Sequence, residues 1–131
     1  MEKRLCHRFN IPGTTLYYRK TKRLREKRDF TNDYYPVLDI SRGGLRFLTN
    51  ERPKIGLAVK VKIAVPEADY QPEVRGVVSW VSRNREKSYR YQTGVSFNPY
   101  GDGRKENSSE ILTFIQSLES KHPAEDQNSE L

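Results

Sequence analysis

Apolar and polar positions alternate in short runs over most of the chain, and only near the end does the period lengthen. "TTLYYRK" (14–20), rich in β-branched and aromatic residues and preceded by Pro12-Gly13, predicts a strand. "YYPVLDI" (34–40) and "GLRFLT" (44–49) predict a hairpin across "SRGG", whose glycines suit a tight reversal. "GLAVKVKIAV" (56–65) puts Leu57, Val59, Val61, Ile63 and Val65 on one face, with Lys60 and Lys62 on the other. "EVRGVVSWVSR" (73–83) and "RYQTGVSFN" (90–98) give two more strands around the polar "NREKS", with Tyr91, Thr93, Val95 and Phe97 sharing a face. In "NSSEILTFIQSLES" (107–120) the spacing changes: Ile111, Leu112, Ile115 and Leu118 form a helical stripe, with Asn107 or Ser108 as cap and Glu110 in the first turn.

These patterns predict an all-β domain with one C-terminal α-helix, a small six-stranded antiparallel β-barrel whose helix covers an opening or docks outside. A chain of 131 residues accommodates one such domain. With 34% hydrophobic residues and a mean hydropathy of -0.89 the core must be modest. Residues 21–28 are nearly all charged and read as a solvated loop, and residues 121–131 lack apolar periodicity and read as a disordered tail.

Charge adds a constraint on partners. The net charge is +7, most of the excess lies before residue 30 in "EKRLCHR" and "RKTKRLREKR", and the last residues lean acidic. An anionic partner is the natural expectation. A lone cysteine, Cys6, excludes an intramolecular disulfide, and with only His7 and His122 beside it no zinc-type ligand set arises, so no metal is expected. No apolar stretch approaches the ~18 residues of a membrane span and no signal peptide is visible, which predicts a cytoplasmic protein without membrane insertion. Both histidines lie outside the strands, away from any Ser or Cys nucleophile with an orienting carboxylate, and no Walker-type loop or dinucleotide fingerprint occurs. The chain reads as a binding module, not an enzyme, with no cofactor.

Two constellations carry binding chemistry. Arg4 and Arg8 stand as R-x-x-x-R in a segment too polar for a core. Guanidinium groups pair with phosphates or the guanine O6/N7 edge and stack on bases, although an exposed basic end explains the same spacing. Asp39, Ser41 and Gly44 form D-x-S-x-x-G at a strand end. Positions 39 and 41 of an extended strand point the same way, so the carboxylate can accept from a guanine's ring N–H and amine beside the Ser41 hydroxyl. Gly43 and Gly44 can take positive φ and let a ligand approach the backbone. The plain alternative is a hairpin turn in which Asp39 and Ser41 cap local N–H groups.

Taken in order, "RLCHR" (4–8), "DISRGG" (39–44), six strands and a terminal helix make a combination that resembles the PilZ domain, a bacterial receptor module for the second messenger cyclic di-GMP. The resemblance covers roughly residues 2–118 and extends to "GVVSWV" and "QTGVSF". It implies a flexible N-terminal arm (1–13) that folds over the nucleotide, followed by a PilZ-like barrel with its helix (14–120). It gives Arg4 and Arg8 contacts to phosphate and guanine, Asp39 and Ser41 the guanine edge, and Gly44 with Gly43 close backbone approach. Trp80 would lie by the ligand, although a lone tryptophan read by itself is a core residue. Many family members begin with adjacent arginines; here Lys3 precedes Arg4, offering a point charge and no planar fork, which leaves the number of nucleotides open.

The leading expectation is a cyclic di-GMP receptor that switches a protein partner by ordering residues 1–10. A small basic barrel that binds nucleic acid through its cations and Tyr17, Tyr18, Tyr34 and Tyr35 is the alternative from another class, and nucleic acid is the less favoured ligand. A ligand-free adaptor of the same fold is the third.

Overall fold

The computed structural model describes residues 8–21, 33–85 and 88–122. Six strands run in chain order: β1 (Thr15–Lys20), β2 (Tyr35–Ser41), β3 (Gly44–Thr49), β4 (Ala58–Ala64), β5 (Glu73–Arg83) and β6 (Tyr91–Phe97). They close into an antiparallel barrel in the order β1-β2-β3-β6-β5-β4, and one helix, α1 (Ser109–Lys121), follows. The predicted fold class is the observed one.

Strict alternation along β4 sends Val59, Val61 and Ile63 inward, where they meet Leu16, Phe47, Val74, Val78 and Val95. Each such side chain withdrawn from water contributes roughly 1.5–3 kcal/mol. Ile111, Ile115 and Leu118, one turn apart on α1, join the same core, so the helix is an integral wall of the fold. Two polar contacts attach it: an ion pair in which Arg42 Nε of the β2–β3 turn lies 3.2 Å from Glu119 Oε1, and a hydrogen bond between His122 Nε2 and Glu67 Oε2 beyond β4 at 3.0 Å. The helix starts at Ser109 with Ser108 as its N-cap residue, but no side chain caps it. Asn107, expected as a cap, instead accepts from Arg75 N and donates to the carbonyls of Arg75 and Asn98, pinning the helix entry to β5.

The chain is seated on the barrel from Phe9 onward. Phe9 exchanges both backbone hydrogen bonds with Ile40 at 2.9 Å, and its side chain and that of Ile11 are buried in the core. Thus Arg8 is held one residue from β2. Lys3 and Arg4 lie outside the described residues, as do most of the charged 21–28 stretch and the tail beyond His122. Among the described residues, no helix is long and apolar enough to cross a membrane.

Candidate functional site

Antiparallel register aligns one residue from each of four strands on the outer face of the barrel. Asp39 on β2 is opposite Arg46 on β3, Arg46 is opposite Gly94 on β6, and Gly94 is opposite Trp80 on β5. With strands about 4.8 Å apart, this row spans roughly 14 Å.

Two β-bulges create it. Alternation from the buried Val37 would turn Asp39 inward, and alternation from Val78 would do the same to Trp80. The register shifts between Val37 and Asp39, and again between Val78 and Trp80. Leu38 and Ser79 are the extra residues, and each insertion re-aims the next side chain outward.

Above this row lies a cleft of about 110 Å³, lined among others by Arg8, Asp39, Ser41, Gly43, Gly44 and Trp80. All the proposed ligand-binding positions within the described residues therefore meet in one place. Asp39 Oδ2 accepts from Arg46 Nη2 at 2.7 Å and Nε at 3.0 Å, and Arg8 Nη1 stands 3.9 Å away. Arg46 also donates to Gln92 Oε1 at 3.3 Å, so its plane is fixed from both sides. Among the described residues no hydrogen bond engages Asp39 Oδ1, the oxygen left to accept from a ligand. The cleft thus combines a carboxylate held by one arginine, a second, half-exposed arginine at its edge, and an indole.

The turn residues take roles partly different from those expected. Ser41 Oγ accepts from Gly43 N at 3.2 Å and donates to Gly44 O at 3.4 Å, so it stabilises its own reversal as well as lining the cleft. Asp39 caps no local N–H group; its described partners are the two arginines. Positive φ occurs at Gly13 and Gly56, not at Gly43 or Gly44. Gly44 is needed for proximity: a Cβ there would collide with the carbonyl oxygen of Val95 on β6. Gly94 is needed for the same reason on the cleft side, because a Cβ would enter the Trp80 indole. Trp80 is half-buried, with its indole against that glycine and outside the core.

Arg46, Ser79 and Gln92 were missed by the sequence reading. Arg46 was within reach of it, since a hairpin across residues 41–44 aligns Arg46 with Asp39 by simple counting from the turn. The four tyrosines proposed as a stacking surface divide in two. Tyr18 and Tyr35 pack inward on Phe47, with ring centroids at 5.7 and 6.2 Å, while Tyr17 and Tyr34 form an edge-on pair outside.

A protein-family model described as the PilZ domain matches residues 2–114. Among solved structures, the chain is similar to the Bacillus subtilis inhibitor of motility MotI/DgrA at 16% identity and a TM-score of 0.59, with 90% of this chain and 50% of that one covered. It is similar to MrkH, described as a c-di-GMP-dependent transcription regulatory factor, at 16% identity and a TM-score of 0.60, with 92% and 51% covered. The PilZ domain of YcgR from Escherichia coli, solved with c-di-GMP, gives 13% identity and a TM-score of 0.52, with 92% and 97% covered. The chain spans about half the length of the first two and nearly all of the third, and at these identities the likeness is one of fold. No curated protein sequence matches the chain.

Proposed function

The chain belongs to the PilZ domain family, and from that membership we propose that it is a cytoplasmic receptor for cyclic di-GMP that acts on a protein partner. PilZ domains are receptor or adaptor modules rather than enzymes, and the proposed work is recognition and switching, without catalysis or cofactor. The observation that carries the reading is the convergence of Arg8, Asp39, Ser41, Gly43, Gly44 and Trp80, distant in sequence, on one cleft.

Each group has a role that its chemistry allows. Asp39, oriented by Arg46, accepts through Oδ1 from the ring N–H and amine of a guanine. Arg8 pairs with phosphate or stacks on a base, and Trp80 provides an apolar wall for the purine. The cleft takes only part of a cyclic dinucleotide, so the remainder lies across the outer face, where the arm with Lys3 and Arg4 closes over it. Ordering of that arm changes the surface shown to the partner.

Nucleic acid is the weaker reading, because two of its four stacking tyrosines point into the barrel. Calorimetric titration of the full chain with cyclic di-GMP at low salt tests the proposal. Saturable heat is expected, with at least a tenfold loss of affinity in Asp39→Ala and in Arg8→Ala. Trp80, the one tryptophan of the chain, supplies an independent fluorescence signal. No heat from folded protein would overturn the receptor reading and leave the ligand-free adaptor, and wild-type binding by both variants would overturn the assignment of the ligand to this cleft.

A further inference from the structure

The Asp39–Arg46 pair leaves one carboxylate oxygen out. An arginine fork meeting a carboxylate frequently forms two parallel bonds, one N–H on each oxygen. Here Arg46 Nε and Nη2 both donate to Oδ2, at 3.0 and 2.7 Å, and among the described residues Oδ1 accepts nothing. A rotation of the guanidinium that moved one nitrogen to Oδ1 would satisfy both oxygens and close Asp39 to any ligand.

What opposes that rotation is attached to the remaining nitrogen. Nη1 donates to Gln92 Oε1 at 3.3 Å, Gln92 Nε2 donates to Asn84 Oδ1 at 3.1 Å, and Asn84 Nδ2 donates to the Tyr89 carbonyl at 2.9 Å. Gln92 reaches Arg46 because it is two residues along β6 from Gly94, the cross-strand partner of Arg46, and so shares its outer face. Asn84 is buried just beyond β5, with its backbone N–H on the Arg90 carbonyl at 2.8 Å. Both ends of this chain have a fixed sense: a guanidinium only donates and a peptide carbonyl only accepts. Each amide between them therefore has one orientation, and turning either sets donor against donor and acceptor against acceptor. Neither Gln92 nor Asn84 lines the cleft; both act on it through Arg46.

We infer that Gln92 and Asn84 are positioning residues that hold Arg46 on one oxygen of Asp39 and keep the other open to a guanine. The identity of the ligand rests on the cyclic di-GMP reading, whereas the one-oxygen grip is a property of the free protein. Without an acceptor at position 92 the Nη1 hydrogen bond is gone, and the fork settles across both oxygens of Asp39. Without an acceptor at position 84 the Gln92 amide loses the partner that orients it, and its NH2 group can turn toward Arg46.

Two measurements on the full chain test this. In crystal structures without ligand, the wild type is expected to keep Nε and Nη2 on Oδ2, and Gln92→Leu, at a half-buried position, to place them on separate oxygens. In calorimetry with cyclic di-GMP, Gln92→Leu and Asn84→Leu should bind about three- to tenfold more weakly, the range set by one net hydrogen bond, with urea unfolding to establish that each is folded. Asn84→Asp is the discriminating variant. Its carboxylate still accepts from Gln92 but opposes the Tyr89 carbonyl, so it keeps the hold on Arg46 and gives up the hairpin contact. It should bind within about twofold of wild type, because the hydrogen bond to Arg46 is retained. A loss equal to that of Asn84→Leu would assign Asn84 to hairpin closure and overturn the inference. Wild-type affinity in Gln92→Leu, or an Arg46 that keeps both contacts on Oδ2 in that variant, would overturn it as well. If the wild type gives no heat, the receptor reading fails by itself, and the two crystal structures still decide whether Gln92 holds the grip.

Discussion

Two glycines near the cleft separate what the fold requires from what the site requires. An added methyl at Gly44 meets a backbone carbonyl, Val95 O, at the turn end of the β3–β6 pairing. Backbone there cannot yield without parting the strands. Gly44→Ala should therefore cost about 1–3 kcal/mol in denaturant unfolding, the usual penalty of overpacking. At Gly94 the obstacle is the indole of Trp80, a half-buried side chain that can swing away. Gly94→Ala should lose less stability than Gly44→Ala but shift Trp80 fluorescence and weaken cyclic di-GMP binding about tenfold. A Gly44→Ala protein as stable as wild type would show that the two strands have room to separate.

At the scale of elements, the site turn and the helix are mechanically joined. The Arg42 side chain is absent from the cleft lining although it lies within the "DISRGG" motif; it reaches Glu119 on α1, and its carbonyl accepts from Tyr100 Oη at 2.6 Å. Arg42 is partly exposed, so the ion pair should contribute no more than about 1 kcal/mol. A double-mutant cycle of Arg42→Ala with Glu119→Gln, followed by urea unfolding, should yield a positive coupling energy below that bound. Zero coupling would mean that this pair adds nothing to the hold that Ile111, Ile115 and Leu118 give the helix. Such ties were not legible in the sequence, because Arg42 and Glu119 are 77 positions apart and their meeting depends on how the barrel closes. The six strands and the helix were legible, because the side-chain period reports directly which face is buried. The bulges at Leu38 and Ser79 were not: one extra residue breaks the period that was being read. For that reason Trp80 carried the sequence pattern of a core residue while facing the cleft. Arg46, the strongest described partner of Asp39, was legible from the hairpin register and was missed.

For the molecule as a whole, barrel closure sets an alkaline limit. Tyr18 lies on β1 where it parts from β2, and its ring contacts Tyr35 and Phe47, each at 5.7 Å. Burial, then the neighbouring Tyr35 and Glu51, pushes its phenol up from 10.0 to about 12. In the unfolded chain the same phenol ionises near 10. The folded state thus retains a proton that the unfolded state releases, and the stability associated with it is complete below pH 10 and is lost as the pH rises toward 12. Tyr18→Phe keeps the ring in the core and removes the ionisable group. Its unfolding free energy should fall less between pH 10 and 12 than that of the wild type, with the two curves parallel below pH 9, as measured by urea denaturation followed by circular dichroism. Curves that stay parallel through pH 12 would assign the alkaline loss to other groups, with Tyr35, raised by the same burial and by Glu51, the first to replace next.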